Sequence, residues 1–189
     1  MIYRLKLLSA FTIALLSTNL CAQGRFNSET ESWLKRLDAV VAEREQINVR
    51  KSQELDKMRL QGSRIASAEE LYQHNCKIYD ACFTFNSELA MEVVDANLAL
   101  ARQSKDKNRT VLWTINRSFI LASTGLLLEA SNAIQEINAQ ELPHELQLCY
   151  YDQMQYMYQH MSQYSWDKQL KELYDDTQRH YSDSIYQIL

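Results

Sequence analysis

Glycine and proline are scarce: the 189 residues include only three glycines and one proline. Sheet-rich folds place such residues at most of their turns, so their scarcity argues against them and favours a mainly helical protein. The glycines, Gly24, Gly62 and Gly125, lie too far apart to form a glycine-rich phosphate loop. The motifs H-E-x-x-H, G-x-S-x-G and C-x-x-C are absent as well. We therefore expect a helical binding module rather than an enzyme, with no catalytic residues.

Residues 1–22 have the pattern of a cleavable secretory signal. Arg4 and Lys6 precede a short apolar stretch, and small residues lead to Ala22, after which we expect cleavage. The apolar stretch is shorter than the roughly 20 residues that span a membrane. Acylation of Cys21, as in a lipoprotein, and a buried N-terminal helix are the alternatives. The signal predicts export to the periplasm.

Basic clusters are missing from the rest of the chain. Removing residues 1–22 takes two positive charges from a formal net charge of −4 and leaves −6. Phosphate backbones attract basic patches, so we expect no nucleic-acid partner, and anionic membrane surfaces are disfavoured for the same reason. Since no second long apolar run follows, membrane attachment would need a helix beyond Leu189.

Cysteine and histidine are too few and too scattered for a disulfide framework or a metal site. Three cysteines remain after residue 22, an odd number, and we interpret all three as small buried apolar residues: Cys76, Cys82 and Cys149. The four histidines lack the i, i+4 spacing and the neighbouring thiols of a zinc site. We predict no metal and no cofactor.

A long charged helix is predicted from Ser28 to about Gln61, with Ser28 and Glu31 as a capping box. Arg44 and Lys51 interrupt its apolar stripe, so we expect one narrow face to be buried against other helices. A coiled coil is the less favoured alternative, because it needs three or four clean heptads and only about two are present. The stripe recurs at spacings of four, three and seven, at Trp33, Leu37, Val40 and Ile47.

Paired helices are predicted after residue 66, around turns near Phe85, Gly125 and Tyr164, at intervals of 40 and 39 residues. A period near forty, with two antiparallel helices in each unit, indicates an α-solenoid. The sequence thus divides into a signal (1–22), a long helix with its linker (23–66) and about three hairpins (67–189), the last one either complete or truncated. The expected helix caps are Ser67, Asn86 or Ser87, and Ser165.

Landmark residues in the second hairpin, and two in the first, resemble those of the tetratricopeptide repeat, in which small side chains let two helices approach closely. Phe85 takes the place of the usual glycine in the first hairpin. The predicted repeat-packing residues are Ser118, Gly125, Ala130, Ile134, Ala90 and Val94.

The order of segments is similar to the N-terminal half of Bacteroidota envelope proteins that carry a C-terminal domain of unknown function, some of them regulators of the starch-utilisation type. The likeness lies in the signal, residues 37–44, Glu70-Leu71-Tyr72 and residues 119–125. In that group a repeat-rich periplasmic half precedes one membrane helix and a cytoplasmic coiled-coil region. The resemblance implies the sensor part of a membrane-anchored regulator. The residues before Leu189 are half apolar, unlike a polar capping repeat, so we expect a fragment or a truncated relative.

Tyrosine is concentrated near the end, with eight of 11 between Tyr150 and Tyr186. Such rings suit a wet groove that binds a peptide, a partner protein or a glycan-derived ligand, but they also suit packing between repeats. The candidate groove residues are Tyr150, Tyr151, Tyr156 and Tyr158. The leading function is a periplasmic sensor module, and the alternative is a free periplasmic scaffold that holds envelope proteins together.

Overall fold

The computed structural model describes residues 27–189, and this part of the chain is helical throughout, without strands. The predicted signal, residues 1–22, lies outside the described residues. The expected all-α solenoid of hairpins after one long charged helix is confirmed. Its elements are α1 (Ser28–Gly62), α2 (Ala68–Cys82), α3 (Ser87–Gln103), α4 (Lys107–Ser123), α5 (Leu127–Ile134), a 3-10 helix (Ala139–Glu141), α6 (His144–Tyr164) and α7 (Lys168–Ile188).

The chain divides between Ser52 and Gln53 into two compact units. This division falls inside α1, whereas the sequence pattern places a boundary between residues 66 and 67. The last turns of α1, residues 53–62, therefore belong to the unit that holds the hairpins.

The first part of α1 differs from expectation in two ways. Asn27, not Ser28, is its cap: the Asn27 Oδ1 atom accepts a hydrogen bond of 2.7 Å from the Thr30 amide. The predicted apolar stripe is exposed rather than buried, with Trp33 at 59%, Leu37 at 57% and Val40 at 60% of their full accessibility. Its expected burial against other helices is thus not found in the described part of the chain.

Successive helices pair as hairpins, α2 with α3, α4 with α5, and α6 with α7, and α4 also packs against α3 and α6. The predicted caps Ser67 and Asn86 are confirmed, since their side chains accept hydrogen bonds from the Glu70 and Leu89 amides. Ser165 is a wrong prediction. It ends α6, and Asp167 caps α7 by accepting a 2.9 Å hydrogen bond from the Leu170 amide.

The second hairpin is shorter than its apolar pattern suggests, because α5 ends at Ile134 rather than at Ile137. The Ile137 amide bonds to the Ile134 carbonyl in a tighter turn. Asn138 then caps the 3-10 helix with its own side chain, which accepts from the Gln140 amide. The short polar side chain of Asn138 thus starts the 3-10 helix.

Two apolar clusters form the core of the hairpin unit. The first joins residues 53–62 of α1 to α2, α3 and α4, and the second joins α4, α5, α6 and α7. Trp113 of α4 reaches across to α2, where its indole N–H donates a 2.9 Å hydrogen bond to the Tyr72 hydroxyl. Of the three cysteines, Cys82 is buried, Cys76 is half-buried and Cys149 is exposed, so the interpretation of all three as buried residues is wrong for Cys149.

Candidate ligand-binding groove

The predicted repeat-packing residues lie where neighbouring helices meet. Ala90 and Val94 are fully buried in α3, and Ala130 and Ile134 are buried in α5. Ser118 is also fully buried, and its hydroxyl donates a 2.9 Å hydrogen bond to the Ala130 carbonyl. A small hydroxyl side chain therefore brings α4 within hydrogen-bond distance of the α5 backbone.

A third helix joins this contact through Gln153 of α6. Its Nε2 atom donates a 3.0 Å hydrogen bond to the Ser118 hydroxyl, and its side chain is buried. Ser118 thus accepts from one helix and donates to another. This geometry fixes the register of α4, α5 and α6 with respect to one another.

Gly125 ends the turn between α4 and α5 with φ at +87°. A Cβ atom built at this position would have no heavy atom within 4 Å. The backbone conformation, rather than a close approach of the two helices, therefore explains the glycine.

The candidate tyrosines do not form one groove. Tyr150, Tyr151 and Tyr158 face α7, where their rings lie 6.5, 5.9 and 5.9 Å from the ring of Tyr181. Burial raises the pKa of Tyr150 and raises that of Tyr181 to about 12. These rings pack the α6–α7 hairpin.

Tyr156 points elsewhere, about 160° around α6 from Tyr158. Its ring lies 5.1 Å from the ring of Phe119 in α4 and 4.4 Å from the ring of His160. Of the four candidates, Tyr156 alone lines the groove described next. Ligand binding by any of the four stays a prediction.

A continuous series of rings crosses the first helices of all three hairpins, and we call it the aromatic row. Phe83, the C-cap residue of α2, lies 6.0 Å from Phe119 of α4, which in turn contacts Tyr156 of α6. Further rings extend the row at both ends along α2 and α6. Its members are Tyr79, Phe83, Phe119, Tyr156, His160 and Tyr164.

Beside the aromatic row lies a depression of about 350 Å³, the aromatic groove. Its polar side chains all carry hydroxyl groups. Two of these hydroxyls donate to the Ile120 carbonyl of α4, that of Ser123 at 2.9 Å and that of Thr124 at 3.0 Å. Those two hydroxyl oxygens remain acceptors toward a ligand. The groove is lined by Phe83, Thr84, Phe85, Ser87, Phe119, Ser123, Thr124 and Tyr156.

Phe83 and Phe119 were not among the sequence candidates. A signal for them exists, because aromatic residues recur at Phe83, Phe119 and Tyr156 with spacings of 36 and 37 residues. Comparing equivalent positions of the first helices, rather than counting tyrosines, would have selected them. The concentration of tyrosines near the end of the chain marks the α6–α7 interface instead.

In residues 27–189, histidine, cysteine and acidic side chains do not converge in groups of three that would suit a metal ion. Within the same range no helix combines the length and the apolar character needed to cross a membrane.

A family model described as the SusR N-terminal TPR domain matches residues 41–189, a range that holds all three hairpins and the second half of α1. No curated protein and no solved structure matches the chain. Tetratricopeptide arrays are helical-repeat modules that use extended surfaces to bind other proteins. The chain belongs to the family of SusR N-terminal tetratricopeptide domains.

Proposed function

We propose that this chain is a periplasmic binding module whose aromatic groove holds an extended peptide segment of a partner protein. The observation that carries the proposal is the aromatic row, which crosses the first helices of three successive hairpins. The path through the ring centroids from Phe83 by way of Phe119 to Tyr156 is roughly 11 Å, so the three rings extend over at most about three extended residues. A short apolar or aromatic stretch of peptide matches this length.

The chemistry of the groove favours a peptide over a sugar. Its rings offer apolar area, and the oxygens of Ser123 and Thr124 offer acceptors for peptide N–H groups. The hydroxyls of Thr84, Ser87 and Tyr156 can donate to a ligand as well, but no charged or amide side chain lines the groove to bind the many hydroxyl groups of a sugar. A glycan-derived ligand is the second candidate, since the rings also provide faces on which a sugar can stack.

The cellular role follows from the sequence and the family match. The signal-like residues 1–22 support export, and the resemblance to regulators of the starch-utilisation type supports a sensing role. We infer that the module is the sensor part of a membrane-anchored regulatory protein. The alternative is a free periplasmic scaffold, which binds partners through the same groove and passes no signal on.

Site-specific photo-crosslinking tests the groove. A benzophenone amino acid replaces Tyr156 in native cells, and the control carries it at Tyr186, which is 79% exposed on α7. We expect one discrete crosslinked protein from position 156 and not from position 186, and Phe119→Ala should reduce its yield. Equal crosslinking at both positions would contradict the proposed groove.

Calorimetric titration with maltooligosaccharides tests the glycan candidate. We expect no heat of binding from the unchanged protein. Binding that Tyr156→Ala abolishes would favour the sugar over the peptide.

Two further measurements address the location and the anchor. Alkaline phosphatase fused after Leu189 should be active, because the enzyme matures only outside the cytoplasm. Carbonate extraction of the native gene product separates the two roles: an anchored regulator stays with the membrane and a free scaffold is released. An inactive fusion would contradict the periplasmic location.

A further inference from the structure

The N-terminal part of α1, residues 28–52, has an apolar face that nothing covers in the described part of the chain. In proteins most of the stability of a helix comes from packing its apolar face against another surface. Contiguous exposed apolar residues mark interaction sites. The exposed side chains are Trp33, Leu34, Leu37, Val40, Val41 and Ile47, each 40–60% accessible.

These residues follow a heptad pattern. Leu37 and Arg44 occupy a positions, and Trp33, Val40 and Ile47 occupy d positions. The neighbouring e positions add Leu34 and Val41 to the face. The g positions carry charges of alternating sign, in the order Glu29, Arg36, Glu43 and Arg50.

A parallel pair of such helices is disfavoured by its own charges. Identical a positions meet in a parallel dimer, so Arg44 would face Arg44 and Lys51 would face Lys51 of the second copy. Each g charge would also face an apolar or neutral e residue, such as Val41. No charge would then be compensated across the interface.

An antiparallel pair is complementary in one register. When Leu37 lies opposite Val40 of the second copy, Arg44 lies opposite the Trp33 ring, which suits a cation–π contact. Thr30 then faces Ile47, and Leu34 approaches Val41. The two-fold symmetry of a dimer makes each of these contacts twice.

In the same register the charges at the g positions favour the antiparallel pair. They place Arg36 beside Glu43 of the second copy and Glu29 beside Arg50, so four opposite-charge pairs flank the apolar seam. A strictly alternating sign along g is what an antiparallel self-association requires, because each g residue meets another g residue. The g-position charges of one copy are therefore complementary to those of a second, antiparallel copy.

We propose that residues 28–52 form an antiparallel two-stranded coiled coil with a second copy of this chain. The dimer does not depend on the aromatic groove, which lies in the other compact unit. Peptide binding and dimer formation can therefore fail or succeed separately.

Sedimentation equilibrium of the purified chain tests the dimer. We expect twice the chain mass at micromolar concentration, and Val40→Glu should weaken dimerisation at least tenfold by placing a charge in the seam. The matched control is Ala42→Glu, because residue 42 is an exposed f position on the opposite side of the helix. A monomer at about 100 µM, or a Val40→Glu variant as dimeric as the unchanged chain, would overturn the proposal.

A charge exchange tests the antiparallel register and does not depend on the apolar core. Arg36→Glu and Glu43→Arg each create two like-charge pairs, so each should weaken the dimer about fivefold at low salt. Arg36→Glu and the double variant Arg36→Glu/Glu43→Arg also lose the contact between the Arg36 guanidinium and the Trp33 ring, whose centroid is 4.6 Å away. The double variant should nevertheless dimerise more tightly than Arg36→Glu, because it restores opposite charges at positions 36 and 43.

Recovery in the double variant cannot arise within one chain, because residues 36 and 43 are about 10 Å apart along the helix axis. It cannot arise in a parallel dimer either, since residue 36 would then face Val41. If the effects of the two single substitutions simply add in the double variant, the antiparallel register is wrong.

Discussion

Arg109 and Glu69 are 40 residues apart in the sequence, yet the Arg109 guanidinium donates two hydrogen bonds, of 2.6 and 2.9 Å, to the Glu69 carboxylate. Glu69 lies in the first turn of α2 and Arg109 in the first turn of α4. The same guanidinium lies 4.0 Å from the centroid of the Tyr72 ring. One side chain thus links equivalent ends of two successive hairpins.

This link should appear in the acid dependence of stability. Hydrogen bonds from Arg109 and then from Gln73 lower the pKa of Glu69 to about 2, from an ordinary value of 4.5. A carboxylate with a lowered folded-state pKa contributes stability above its unfolded pKa, and this contribution is lost as the pH falls from about 4.5 toward 2. We expect Glu69→Gln to destabilise the chain at pH 7 and to approach the unchanged chain in stability near pH 2.

A double-mutant cycle provides the control. In an Arg109→Ala background the guanidinium is absent, so Glu69→Gln should have little further effect at pH 7. The measurement is urea unfolding at pH 7, 4 and 2. Equal destabilisation by Glu69→Gln in both backgrounds would contradict the link.

A buried amide pair joins α2 to α3 and should be costly to break. Asn75 donates a 2.9 Å hydrogen bond to the Asn97 side-chain oxygen, and Asn97 donates to the Tyr72 carbonyl. Asn97→Ala leaves the Asn75 amide without its acceptor and opens a cavity, so we expect a loss of about 2–3 kcal/mol in the free energy of unfolding. Urea denaturation at neutral pH measures this change.

Asn132→Ala is the matched control for this substitution. Asn132 is exposed in the last turn of α5, where alanine is compatible with the helix, so its replacement should change the free energy of unfolding by less than about 0.5 kcal/mol. Equal effects of the two substitutions would argue against the buried pair.

Local features of this fold were predictable from the sequence. Ser67 and Asn86 cap helices through contacts with residues three positions away, and Gly125 adopts the positive φ of its own turn. Such signals lie within a few residues of the feature that they specify. Helix order and the hairpin period follow from them.

The assignment of side chains to faces was not predictable in the same way. Tyr150 and Tyr156 share a helix and a residue type, yet one packs against α7 and the other against Phe119. The choice depends on where α4 and α7 lie around α6, which is a tertiary relation. Cys149 is exposed beside buried Tyr150 for the same reason.

Two turns contain a residue with a left-handed backbone, and substitutions there should act in opposite directions. Gly125 has φ at +87°, so Gly125→Ala should cost about 1 kcal/mol of stability through backbone strain alone. Lys105 has φ at 57°, so Lys105→Gly should stabilise the chain by a similar amount. Thermal unfolding of both variants checks the signs, and the same sign for both would refute a backbone origin.

The thiols should differ sharply in their reactivity. Cys82 is completely buried, and burial raises its pKa to about 11, so at pH 8 it is both inaccessible and almost wholly protonated. Cys149 is exposed on α6; partial burial and then the nearby Asp152 carboxylate raise its pKa too, so its faster reaction should come from its accessibility. We expect a coloured disulfide reagent at pH 8 to modify Cys149 rapidly in the folded chain and to reach Cys82 only at the rate of unfolding.

Two variants identify which thiol reacts in the rapid phase and which reacts in the slow phase. Cys149→Ser should remove the rapid phase, and Cys82→Ala should remove one thiol from the slow phase without changing the rapid one. Addition of 6 M guanidinium chloride should make the two thiols react at similar rates, because the barrier to modifying Cys82 is the folded packing around it. A rapid phase that survives in Cys149→Ser would place another accessible thiol on the surface and contradict the assignment.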